Sequence, residues 1–156
     1  ITMKKLLSLL LLAVMILTLS ACGGGGKQSA KSADLKAVLA KFTFDGEMLE
    51  MDENDMLDVY GIQAADMKQF AAAVNTSGID CDEVVLVEAK DADAASRVKE
   101  ALDKRYQAKL NETENYLPDE YAVIKTCSVV MDGNYVAMIV APNAADLVKI
   151  YNESFK

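Results

Sequence analysis

An apolar run over residues 6–17, interrupted only by Ser8 and led by Lys4 and Lys5, removes the first part of this chain from any folded domain. At about a dozen residues it falls short of the roughly 20 that cross a bilayer, so it reads as the h-region of a signal peptide rather than as a permanent span. Ile1 and Thr2 precede Met3, the expected initiator. Whatever folds has to come from the remainder.

The run closes on Leu19-Ser20-Ala21-Cys22, which resembles the bacterial lipobox. There, small residues admit the lipoprotein signal peptidase, and the cysteine thiol receives diacylglycerol. The alternative is an ordinary secretory leader with an incidental cysteine. A single acyl chain anchors a protein only marginally at about 0.8 kcal/mol per buried CH₂, whereas the two chains of a diacylglyceryl group suffice. Four glycines, Gly23 to Gly26, and a polar stretch to Ser32 then form a flexible tether with nothing to bury. The expected organisation is a signal peptide over residues 1–21, a lipidated Cys22 with its tether over 22–33, and one domain over 34–156. The expected location is the extracytoplasmic face of the cell membrane. In a host with an outer membrane, Gly23 in place of Asp would favour sorting there.

Charge narrows the partners. The formal net charge of −8 includes Lys4 and Lys5, so removing the leader leaves 14 basic against 24 acidic residues, or −10. Nucleic acid is not an expected partner, because phosphate binding draws on clustered Lys and Arg. An anionic lipid surface repels such a domain too, which leaves acylated Cys22 as the attachment to membrane lipid. The sequence contains no histidine and no tryptophan, which removes the commonest general base, the commonest metal ligand and the Ser-His-Asp and Cys-His arrangements. No cofactor motif is present, and the expectation is that the protein is not an enzyme.

Along the domain, Leu35, Val38, Leu39 and Phe42 stand at helical spacing, with Ser32 as the expected cap. Asn54 is the expected cap of a second short helix that Gly61 ends. Residues 67–74 fit helical spacing through Met67, Phe70, Ala71 and Val74. Val84-Val85-Leu86-Val87 reads as a buried strand. A long helix from Asp91 or Asp93 to Asn111 follows, its apolar face carried by Ala95, Val98 and Leu102, with Glu100 and Lys104 one turn apart. Two apolar runs, residues 121–131 and 135–141, flank Asp132-Gly133-Asn134, a hairpin signal. Asn143 is placed to cap a last helix that buries Leu147, Ile150, Tyr151 and Phe155. The expected fold is α+β: a mostly antiparallel sheet of about four strands, in the order strand, strand, helix, hairpin, helix. Short N-terminal helices precede it, and the helices pack on one face.

Tyr60-Gly61-Ile62, the stretch AKDADAASRVKEALDKRYQ over residues 89–107, Tyr116-Leu117-Pro118-Asp119-Glu120-Tyr121 and Gly133-Asn134-Tyr135-Val136 carry a likeness. In this order they resemble a domain-of-unknown-function family of small Gram-positive lipoproteins, numbered four-three-five-eight, from about Asp45 onward. The resemblance implies a lipid-anchored extracytoplasmic location, an α+β fold and a strand over residues 67–74. It implies no activity and no site residue.

Three constellations are candidates. Cys81 and Cys127 remain once Cys22 is acylated, and outside the cytoplasm they form a candidate disulfide. Closing a loop of roughly 46 residues stabilises by about 4 kcal/mol in the chain-entropy account. Two buried thiols are the alternative. Asp45, Glu47, Glu50, Asp52, Glu53, Asp55 and Asp58 offer oxygen ligands but lack the spacing of a calcium loop, and read as a solvated acidic surface. Tyr116, Tyr121 and Tyr135 suit either a ligand groove or sheet packing. The leading expectation is a binding or interaction module that meets an envelope protein or peptide through its sheet face or an acidic helix side. The rivals are an enzyme working through carboxylates with a tyrosine or Lys125, and a self-associating structural subunit of the envelope.

Overall fold

A computed structural model describes residues 31–156. The leader, Leu19, Ser20, Ala21 and Cys22 lie outside the described residues. Ser32–Lys156 pack as one unit around a single core. The elements are α1 (Leu35–Leu39), β1 (Met48–Glu50), α2 (Glu53–Tyr60), a 3₁₀ turn (Ala64–Asp66), β2 (Met67–Asn75) and β3 (Glu83–Ala89). They continue with α3 (Ala92–Thr113), α4 (Pro118–Ile124), β4 (Ser128–Asp132), β5 (Tyr135–Val140) and α5 (Ala144–Glu153). Among the described residues no helix is long and apolar enough to cross a membrane.

One antiparallel sheet runs in the order β1-β2-β3-β5-β4. The valines of β3 put it at the centre, where both faces are buried. Alternation sends Glu83, Val85 and Val87 toward α3, from which Arg105 and Lys109 reach Glu83. Val84, Leu86 and Glu88 point the other way. There Gln69 bonds Glu88 and also clips the chain entering α1, accepting from the Leu35 N–H and donating to the Ala33 carbonyl. The same side receives α5, after which Phe155 packs edge-on against both Tyr151 of that helix and Tyr135 of β5.

The α+β class, the antiparallel sheet and the expected order hold, and residues 67–74 are strand. The sheet has five strands rather than four, because the three residues of β1 add to the β2 edge from within the acidic stretch. Helices cover both faces rather than one over the central strands, so β3 and β5 are buried on both sides. The first apolar run also divides. Pro118 at the first helical position and Asp119 and Glu120 in the first turn suit a helix N-terminus. Residues up to Ile124 therefore wind into α4, and only Ser128–Asp132 pair with β5. Lys125 consequently ends α4 instead of lying in the hairpin.

Two caps lie two residues from the expected positions. Asp34, not Ser32, caps α1, and Asp52, not Asn54, caps α2 through a reciprocal box with Asp55. Ser32 instead pairs its backbone with Lys156 through two hydrogen bonds of 3.2 Å. Asn143 stands at the start of α5 but spends its side chain on the Thr43 carbonyl, 3.0 Å away. Gly61 closes α2 in the left-handed region, and Gly133 does the same at the first of two hairpin residues, as a type II′ turn demands.

Candidate functional site

The site grows from Glu83, the first residue of β3, which is fully buried. Its position on the α3 side is fixed by strand alternation, and α3 supplies the matching cations one turn apart. Arg105 donates to both carboxylate oxygens, Nε at 2.9 Å and Nη2 at 2.8 Å, and Lys109 Nζ donates at 2.8 Å. Burial pushes the Glu83 carboxyl up, but the two cations outweigh it and hold its pKa below the ordinary carboxylate range. The Arg105 guanidinium is in turn held charged by Glu83.

Tyr60, the last residue of α2, lies over this cluster. Its hydroxyl is buried, with the Glu83 carboxylate its acceptor at the edge of hydrogen-bonding reach. Burial, reinforced by the neighbouring Glu83 charge, raises its pKa well above that of an ordinary phenol. Outside it, α2 and α3 leave an open groove of about 470 Å³ whose lining includes Val59, Tyr60, Arg97, Glu100, Lys104 and Arg105. Arg97 is braced by Asp66, with Nε 3.1 Å from the carboxylate, and Lys104 sits 2.7 Å from Glu100. Three cations thus face one carboxylate in a chain that is otherwise strongly acidic.

Next to Glu83 in the chain, Asp82 is also nearly buried but lacks cationic partners of that quality. Burial first, then Glu120, Asp80 and Asp45, raise its pKa, and Lys109 offsets this only in part. Cys81 precedes it, half-buried, its N–H donating to Glu120. Cys127 is buried beyond the end of α4, its thiol against the Val123 carbonyl at 3.5 Å. Both are free thiols here. The acidic stretch is dispersed, with Asp52 and Asp55 consumed by the α2 cap. Among the described residues no three Cys, Asp or Glu side chains gather closely enough to hold a metal ion.

The tyrosines part ways. Tyr116 is exposed on the turn after α3, Tyr121 carries Lys125 over its ring at 5.1 Å, and Tyr135 packs beneath Phe155. They line no common groove. Tyr60, Glu83, Arg105 and Lys109 were not singled out as site residues by sequence reasoning. The available signal was the 3,4 spacing of Val98, Leu102, Arg105 and Lys109, which sets both cations on the apolar stripe opposite a buried strand.

No curated protein and no solved structure matches this chain. A family model described as "Domain of unknown function (DUF4358)" matches residues 41–141, a span that takes in the sheet, α2, α3 and the groove between them. The chain belongs to this family of unknown function.

Proposed function

We propose that the protein is an extracytoplasmic lipoprotein, held to the membrane through acylated Cys22, that serves as a binding module at the cell envelope. The leader and lipobox support the address. The binding role rests on one observation: the groove between α2 and α3 sits on a buried, pre-formed cluster that leaves polar capacity unused. Arg105 spends two of its five N–H groups on Glu83 and lines the groove with the rest of its guanidinium.

Two measurements test this reading. Expressed in its own host, Cys22→Ala is expected to leave the membrane fraction, and a variant still retained there would overturn the anchor. Native mass spectrometry of the lipoprotein extracted in mild detergent is expected to show a co-purifying small molecule. Val59→Trp, at the exposed rim of the groove, is expected to abolish that extra mass. An extra mass in neither protein, or equally in both, would overturn the binding role assigned to the groove.

A further inference from the structure

We infer that a second copy of this chain pairs with the open β4 edge, the two β4 strands running antiparallel about a two-fold axis at Val130. The sheet ends in two edges that are finished differently. β1 is three residues long and set among Glu47, Glu50 and Asp52, short and charged as guarded edges are. β4 reads Ser-Val-Val-Met-Asp, with no lysine, no proline and no break in its register with β5. Val130 and Met131 are 40% and 48% exposed on it. An unguarded edge of this kind templates another strand.

The edge is complementary to itself. The two-residue turn at Gly133-Asn134 makes Asp132 and Tyr135 a hydrogen-bonded pair, and alternation extends this to Val130 with Ala137 and Ser128 with Ile139. The N–H and C=O groups of Val129 and Met131 therefore point away from β5, and among the described residues no turn or loop backbone bonds them. With Val130 on the axis, Val129 of each copy stands opposite Met131 of the other. These two pairs exchange four backbone hydrogen bonds, which takes up every outward group of both residues. Ser128 stands opposite Asp132, so the one charge of the strand meets a hydroxyl rather than a like charge. In a strongly acidic chain few surfaces can face their own copy in this way.

Neither covering layer overhangs the edge. Val129 and Met131 share the α3 face with Met138 and Val136, yet Met131 is half-exposed, and Val130 on the α5 face is exposed as well. The axis of such a pair runs normal to the sheet. Ala33, where the chain enters the domain, is held by Gln69 on the α5 face, so both copies send their tethers from the same face. Two lipids in one membrane require that arrangement. Five residues a side bury less than the roughly 1,200 Å² of a stable free dimer, so the pair draws on the high local concentration that the proposed anchor supplies.

The test is oxidative crosslinking of the full lipoprotein in the membranes of its own host, with Cys81→Ser removing the half-buried native thiol. Across the axis the two Val130 Cα atoms stand about 4.5 Å apart, within disulfide reach, while the two Met131 Cα atoms stand beyond about 7 Å. Val130→Cys is expected to give about tenfold more covalent dimer than Met131→Cys, although Met131 is the more exposed of the two. Adding Ser128→Glu, which sets a carboxylate opposite each Asp132, is expected to cut the Val130→Cys dimer about fivefold. No dimer from Val130→Cys, equal yields from both cysteine variants, or a yield unmoved by Ser128→Glu would overturn the pairing. Crosslinks to other proteins alone would overturn the second copy as the occupant. None of these outcomes bears on the groove between α2 and α3, which has its own readout.

Discussion

Asp82 and Glu83 are adjacent carboxylates, both withdrawn from solvent at the start of the same strand, and they are held in opposite ways. Glu83 turns toward α3 and meets two cations at hydrogen-bonding distance. Asp82 falls among Asp80, Asp45 and Glu120, with Lys109 its only offset. Burial is common to both, so burial does not decide whether a carboxylate stays charged; what it is buried against does.

Breaking the Glu83 side of the pair has the largest effect. Glu83→Ala strands Arg105 and Lys109 opposite one another, and the expected loss is about 3–5 kcal/mol in urea unfolding. The wild-type contribution has a definite pH window. A carboxyl whose folded pKa lies below its unfolded value stabilises above the unfolded pKa, and loses that contribution as pH falls through the folded one. Glu83→Gln therefore flattens the acid limb of the stability profile.

Tyr60→Phe comes next. Removing the buried hydroxyl takes a donor away from the Glu83 carboxylate and is expected to destabilise by about 1 kcal/mol, seen as a lower urea midpoint. Asp82→Asn sharpens the comparison from the other side. A carboxyl whose folded pKa is raised favours folding in its protonated state, so wild-type stability falls as pH rises through that raised value. The asparagine variant is expected to melt about 2–4 °C higher at neutral pH and to lose its advantage in acid, where Asp82 is protonated in both states. Smallest of all is Lys104→Gln, whose pair with Glu100 lies on an open surface, and calorimetry is expected to show no resolvable change in the unliganded protein.

The same contrast explains what could be read from the chain alone. The Val84-Val85-Leu86-Val87 run, the long helix through Val98 and Leu102, and the Asp132-Gly133-Asn134 turn are local patterns, and each stands where its period or turn chemistry puts it. β1 was not legible, because three residues have no period, and they pair only when β2 presents an edge. Residues 121–124 look like strand in composition, and Pro118 with its acidic neighbours decided for helix. Helices on both faces follow from the complete burial of β5, which alternation within one strand does not announce. The groove was the least legible part. It joins the end of α2 to the middle of α3, and the pair beneath it, Glu83 with Arg105, is separated by 22 positions. Only the helical stripe hinted that those cations turn inward.

The reciprocal backbone pairing of Ser32 with Lys156 has an engineering consequence. The two ends of the folded unit already touch, so a few residues can join them into a ring without disturbing the sheet. The polypeptide can then be reopened elsewhere, at the exposed turn around Gly78, where φ is positive and a Cβ would meet nothing. Tethered through the proposed Cys22 anchor, such a circular permutant would hang from its new termini at that turn, turning the groove relative to the bilayer while leaving its walls unchanged.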